Sequence, residues 1–271
     1  MKKLFSLAFN SFKEVVRQPF YYILLLSGCF VLFMSFMFTF FAFGEELRMV
    51  KDMAISTITI CGLLAGILSS SVLITNEFKR KTILALLCKP VTRVQIVLGK
   101  FFGIVAAVVV LIVLQATFLE VLIKLDSVLG FSNLDPSLDM LANTSLVDYY
   151  CLQGIYFSLL QVLMLTSISV ILSIYLNISA NLIVCFAVFV LSNVLSYLFS
   201  LSEKVPAVVS FVVKVCYVLF PNFSSLNIFA MNSISGEHIP LYIFYASLYS
   251  AVYCIMVLWL AIICFKRKEF S

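Results

Sequence analysis

Long apolar runs recur along this chain, each about as long as a bilayer is thick, and they limit the fold more than any motif does. A membrane-crossing helix needs about 20 predominantly apolar residues to traverse a hydrocarbon core of roughly 30 Å. Runs of that kind lie at about 20–43, 54–75, 101–123, 150–174, 181–201 and 241–265. The expectation is an all-α polytopic membrane protein with six transmembrane helices, forming a single transmembrane domain over residues 1–271. Composition agrees: 63% of residues are hydrophobic and 11% charged, well above the roughly 45–50% apolar content of soluble domains.

Charge placement orients these spans. Lys2, Lys3, Lys13, Arg17, Lys79, Arg80, Lys81, Lys89, Arg93, Lys100, Lys266, Arg267 and Lys268 all fall on one side of a six-span topology. These are thirteen of the 18 basic residues; Arg48, Lys51, Lys124, Lys204 and Lys214 fall on the other side. The positive-inside rule makes the first side cytosolic, with both termini on it. A seventh full crossing would separate the Lys266-Arg267-Lys268 cluster from the N-terminus, so the count and the orientation support each other. The apolar stretch Val205–Leu219 is short for a crossing and carries Pro206 and Lys214, so it reads as a short outer helix or re-entrant segment before span 6.

At the N-terminus, Phe5, Phe9, Phe12 and Val16 recur at helical spacing while Lys2, Lys13, Glu14 and Arg17 occupy other faces. That pattern is an amphipathic helix. Pro19 breaks it before the first span, which suits an interfacial helix in the cytosolic headgroup layer; an extension of span 1 is the competing reading. The basic start resembles a signal peptide only superficially, because no apolar core of 7–15 residues follows.

Several function classes find little support. The net charge of +5 is carried in short clusters between apolar runs, not on a continuous basic face, so no nucleic-acid partner is expected. Of eight cysteines, Cys29, Cys61, Cys185, Cys254 and Cys264 lie in predicted spans and Cys88 in a cytosolic segment, which reads as structural thiols. One histidine, His238, sits in an outer loop, leaving little from which to build a zinc site or a catalytic triad. The Glu45-Glu46 pair reads as a solvated turn. A Gly-x-x-x-x-Gly-Lys-Ser/Thr phosphate loop does not occur in the sequence, so the chain is not expected to bind ATP or catalyse a reaction itself.

The richest stretch connects spans 2 and 3. A polar, basic collar from Thr75 to Lys81 is followed by an apolar turn from Ile83 to Leu87, a break at Pro90, and Thr92 as a cap for the helix entering span 3. This describes a short helix held across the inner face, its apolar side available to a partner's groove; a basic loop dipping into lipid fits the composition equally. Glu77, Lys81-Thr82-Ile83, Leu86-Leu87, Lys89-Pro90-Val91, Arg93 and Leu98-Gly99-Lys100, with Phe220-Pro221-Asn222-Phe223, Asn227 and Gly236 further on, resemble the pattern of ABC type-2 exporter permeases. The resemblance is to the branch that includes nitrous-oxide-reductase maturation and gliding-motility permeases, and it covers the whole chain.

That resemblance implies a permease subunit of an ABC exporter in the cell membrane. Its partners would be two copies of a separate ATPase subunit, which bind the ATP and Mg, and a second permease copy or paralogue. It also implies that residues 77–90 form the coupling helix, with Glu77, Phe78, Arg80, Thr82, Ile83, Leu84, Leu86, Leu87, Lys89, Pro90 and Arg93 as the ATPase-coupling residues. Leu84, Leu86 and Leu87 would be the docking face. Within the spans, Gln115, Glu120, Gln161 and Asn193 are the polar residues that either line a path or bond helix to helix, and Glu120 stands one turn from Lys124. Two rivals remain: a non-transporting anchor for an ATPase complex, and a secondary transporter, which would normally place charged or broken-helix sites at the midplane.

Overall fold

A computed structural model describes residues 2–37, 46–80, 93–129, 149–201, 214, 220–226 and 239–268. Its described secondary structure is helical. The helices are α1 (Lys2–Val16), α2 (Pro19–Met37), α3 (Glu46–Arg80), α4 (Arg93–Leu129), α5 (Tyr149–Tyr175), α6 (Ile178–Leu201) and α7 (Ile239–Lys268), with a 3-10 turn at Ser224–Leu226. Five apolar stretches are long enough to cross a membrane: Met49–Thr75, Val94–Leu125, Tyr150–Tyr175, Ile178–Leu195 and Pro240–Phe265. The bent pair α1–α2 makes six if counted as one. Helices α5 and α7 cover Tyr149–Tyr175 and Ile239–Lys268, where the apolar runs are 150–174 and 241–265. α3 and α4 extend well beyond their apolar runs, because charged residues continue a helix as well as apolar ones do.

Side-chain pairings give the direction of each helix. Asp52–Tyr150, Thr59–Ser158, Ser70–Ser169 and Thr75–Ser173 join α3 to α5 at separations of 98, 99, 99 and 98 residues, so these two helices run parallel in fixed register. Against α4, Gly62 meets Ile112, Gly66 meets Val108, and Lys100 reaches Leu73; α4 is antiparallel to α3. Asn181 of α6 bonds Ser71 while Asn193 lies near Thr59, again antiparallel. Phe157 stacks on Tyr242, and Ile174 lies beside Phe265, so α7 follows α5. Tyr21 meets Ala107 and Leu24 meets Gln115, so α2 follows α4. Helices α2 to α7 therefore alternate, and the start of α2 and the end of α7 lie at the same end of the bundle.

Two pairs of glycines set how closely these helices approach. Gly99 and Gly103 of α4 lie under α1: a Cβ at Gly103 would stand 2.5 Å from the Ala8 carbonyl oxygen and 2.6 Å from the Ser11 Cβ. Gly62 and Gly66 of α3 admit Val162 and Thr166 of α5 in the same way. Without a hydrophobic force between helices in lipid, close backbone approach at small residues is what gains dispersion energy. α1 consequently carries three faces. Ser11 and Val15 are buried, with Leu7 and Ala8 against α4; Lys3, Lys13, Glu14 and Arg17 are polar; and Phe5 and Phe9 stay 73% and 61% exposed. The Phe5–Phe9–Phe12–Val16 stripe is therefore shared: Phe12 and Val16 are half-buried against the core, while Phe5 and Phe9 are left exposed.

Candidate functional site

The inner end of the bundle is where the sequence places its coupling residues. Glu77, Phe78 and Arg80 fall in the last turns of α3 and Arg93 opens α4, so the spanning helices themselves carry these four positions, past the apolar windows that end at Thr75 and begin at Val94. Thr82, Ile83, Leu84, Leu86, Leu87, Lys89 and Pro90, and with them the expected coupling helix, lie outside the described residues. Lys100 is not a surface charge. It is buried, its Nζ donating to the Leu73 carbonyl at 3.4 Å, with Ile74, Ile96, Val97 and Phe265 around it.

The four polar span residues part company in the structure. Gln115 is fully buried on α4, where its Nε2 donates to the Leu24 carbonyl of α2 at 3.3 Å and its side chain fills the space beside Gly28. Glu120 sits half-buried one turn further along. Gln161 and Asn193, by contrast, come together at a cavity of about 140 Å³ between α3, α5 and α6. Ser56, Thr59 and Ser158 complete its polar lining, and Phe157, Phe189 and Leu226 its apolar part.

Leu226, which lines that cavity, ends the segment Phe220–Leu226. Pro221 opens it, and the carbonyls of Asn222 and Phe223 accept bonds from the Ser225 hydroxyl and the Leu226 N–H. Phe223 and Leu226 are buried. Both hydrogens of Gln161 Nε2 are used on their carbonyls, at 3.2 and 3.0 Å. Tyr242 donates to the Ser225 carbonyl, and the Asn222 N–H donates to the Tyr249 hydroxyl at 3.1 Å. Gln161 lies about three helical turns into α5 from Tyr150, roughly 16 Å at 1.5 Å per residue, so the turn sits well below the helix ends. Irregular backbone at such depth is tolerated only where protein groups pair it, and Gln161 does that pairing. Of the stretch Val205–Leu219, only position 214 is among the described residues.

Nearer the Arg80 end of α3, helices α3, α5 and α6 share a buried polar seam that the sequence reading passed over. Ser70 and Ser169 are 2.5 Å apart through their hydroxyls. Asn181 Nδ2 donates to Ser71 Oγ at 2.6 Å and to Ser169 Oγ at 2.8 Å, while its Oδ1 accepts from Cys185 Sγ at 3.3 Å. A signal for it was legible: the run Ser69-Ser70-Ser71 interrupts an otherwise apolar span just after Gly62-x-x-x-Gly66, and small residues at such spacing mark helix contacts in membranes. The six described cysteines are free thiols, as expected. Among the described residues no group of three His, Cys, Asp or Glu side chains is placed to hold a metal ion.

Comparison with known proteins adds one positive finding. Residues 37–270 match the model of a family described as ABC-2 family transporter protein. No curated protein matches the chain.

Proposed function

Since this chain belongs to the ABC-2 family of transporter proteins and is a multi-pass helical membrane protein, we propose that it is the permease subunit of an ABC exporter driven by a separate ATPase. The observation that carries this reading is the family match across residues 37–270. In the proposed arrangement two ATPase subunits bind ATP and Mg beneath a pair of permeases, with both termini and the connection between α3 and α4 in the cytosol. The basic-residue asymmetry supports that orientation. The likeness to the nitrous-oxide-reductase and gliding-motility branch rests on the residues quoted above.

Coupling requires the partner to contact the permease differently in its two states, because a contact equally strong in both shifts nothing. The connection between Arg80 and Arg93 suits this task. It joins the adjacent inner ends of two antiparallel helices that both run past the apolar window, so a push on it is delivered to α3 and α4 together. α3 in turn is fixed in register to α5 by the hydroxyl pairs. Leu84, Leu86 and Leu87 would enter the ATPase groove, with Arg80 and Arg93 at its rim.

The test is co-purification with the ABC ATPase and measurement of ATP turnover for Leu86→Glu and Leu87→Glu. Each is expected to abolish association while leaving the permease folded. Unchanged association and turnover in both variants would remove the docking assignment. Association without any cargo movement would favour an anchor over a transporter.

A further inference from the structure

We propose that the cavity bounded by α3, α5, α6 and Leu226 is a binding site for the hydrogen-bond-donating, non-anionic head of an amphipathic molecule that enters from the membrane. Most of the hydrogens on its polar lining are already committed. Ser56 Oγ donates to the Asp52 carbonyl at 2.8 Å and Asn193 Nδ2 to the Phe189 carbonyl at 2.9 Å. Thr59 and Ser158 have one hydroxyl hydrogen each for three contacts: their own at 2.6 Å and the Ile55 and Gly154 carbonyls at 2.7 and 2.9 Å. Gln161 has both N–H hydrogens on the Phe223 and Leu226 carbonyls. That amide orientation is forced, because a carbonyl oxygen can only accept.

What these five side chains have left is mostly lone pairs: the hydroxyl oxygens, Gln161 Oε1 and Asn193 Oδ1, against one remaining Asn193 N–H. Oxygens with spare lone pairs at the level of the bilayer gain most from a molecule that brings hydrogen-bond donors to them. The lining residues include no Lys, Arg or His, so a phosphate or carboxylate would face oxygens without a compensating charge. A hydroxyl-rich or primary ammonium head supplies what is missing. The volume of about 140 Å³ holds the equivalent of roughly five waters at about 30 Å³ each, the scale of a small polar head and not of a whole lipid.

The direction of entry follows from exposure. Ser56 and Ile60, on the α3 side of the cavity, are exposed, while Thr59, Ser158 and Leu226 behind them are buried. Ser56, Thr59, Ile60 and Ser158 lie within the crossing segments Met49–Thr75 and Tyr150–Tyr175, so the opening faces sideways, into the level of the bilayer. It lies in the half nearer Asp52 and Tyr150, which the basic-residue asymmetry makes the outer half. A tail can remain in lipid while its head occupies the cavity.

Calling the occupant a cargo rests on the permease role proposed above, so binding is measured on the permease alone. The full chain in phosphatidylcholine nanodiscs, whose choline heads carry no N–H or O–H donors, is titrated with octyl glucoside, octylammonium and octyl phosphocholine below their micellar concentrations, and thermal stability is followed. Saturable stabilisation by the glucoside or the ammonium, absent with phosphocholine, supports the site, and whichever of the two acts names the donor. Thr59→Val with Asn193→Leu, which keep shape and remove acceptors, should weaken that response roughly tenfold. Thr57→Val, one residue away and outside the cavity, should not. Equal stabilisation by all three amphiphiles, by none, or an undiminished response in the double variant overturns the proposal. Those outcomes leave ATPase association untouched, so the site and the permease role fail separately.

Discussion

Replacing Gly103 by alanine tests whether α1 is held to α4 by backbone proximity. In the open, Gly→Ala within a helix stabilises by about 1 kcal/mol. Here the new Cβ would stand 2.5 Å from the Ala8 carbonyl oxygen, 2.6 Å from the Ser11 Cβ and 3.0 Å from the Phe12 nitrogen. Two of those atoms are backbone and cannot swing aside, so α1 has to move out by about 1 Å. Overpacking of this kind costs about 1–3 kcal/mol. With three close atoms the upper end applies, and the net loss of docking is about 2 kcal/mol after the propensity gain. A loss of that size raises the undocked population roughly 30-fold. Lys13 lies on the exposed side of α1, and trypsin reaches an intact helix only when it opens. Limited trypsinolysis of the reconstituted permease should therefore cut at Lys13 about 30 times faster in Gly103→Ala. Gly99→Ala should do far less, since its one close contact is the Leu7 Cβ at 2.9 Å. Cleavage as slow as in the wild type, or Gly99→Ala exceeding Gly103→Ala, would refute backbone-proximity docking.

Other substitutions address the remaining contacts. Asn181→Leu strands Ser71, Ser169 and Cys185 in the seam and should lower stability by about 1–3 kcal/mol, visible as a depressed Tm. Asn193→Leu, which removes a bond only to its own helix, should cost under half as much in the same assay. Gln161→Met leaves the Phe223 and Leu226 carbonyls without their donor. It should loosen the Ser224–Leu226 turn, read as at least tenfold faster amide exchange there and no change in α4. Phe5→Ser with Phe9→Ser removes exposed rings that do not carry the α4 contact, so trypsin cutting at Lys13 in detergent should stay near the wild-type rate.

Hydropathy and charge exposed the membrane class in the sequence because a spanning segment must be apolar along its whole length, a property each run shows without reference to its neighbours. Alternating helix directions followed from the same runs. Periodicity located the apolar stripe of α1 but does not say whether lipid or protein covers each residue: Phe12 and Val16 pack on the core while Phe5 and Phe9 stay exposed. Gln161 and Asn193 stood out as polar residues in spans, yet they are far apart in sequence and only the packing of α5 against α6 brings them to one cavity. The depth of the Phe220–Leu226 turn was hidden for a similar reason: its carbonyls are paired by a side chain near the middle of another helix.

The sequence by itself thus determined the membrane class and the order of the apolar helices, though not where each helix ends. Tertiary structure decided which small residues become contact points, at Gly99, Gly103, Gly62 and Gly66, and which polar groups face one another instead of their own backbone. Hydrophobicity is a property of a segment and can be read one segment at a time. Contacts between helices in lipid depend on register between two segments, which no single segment encodes.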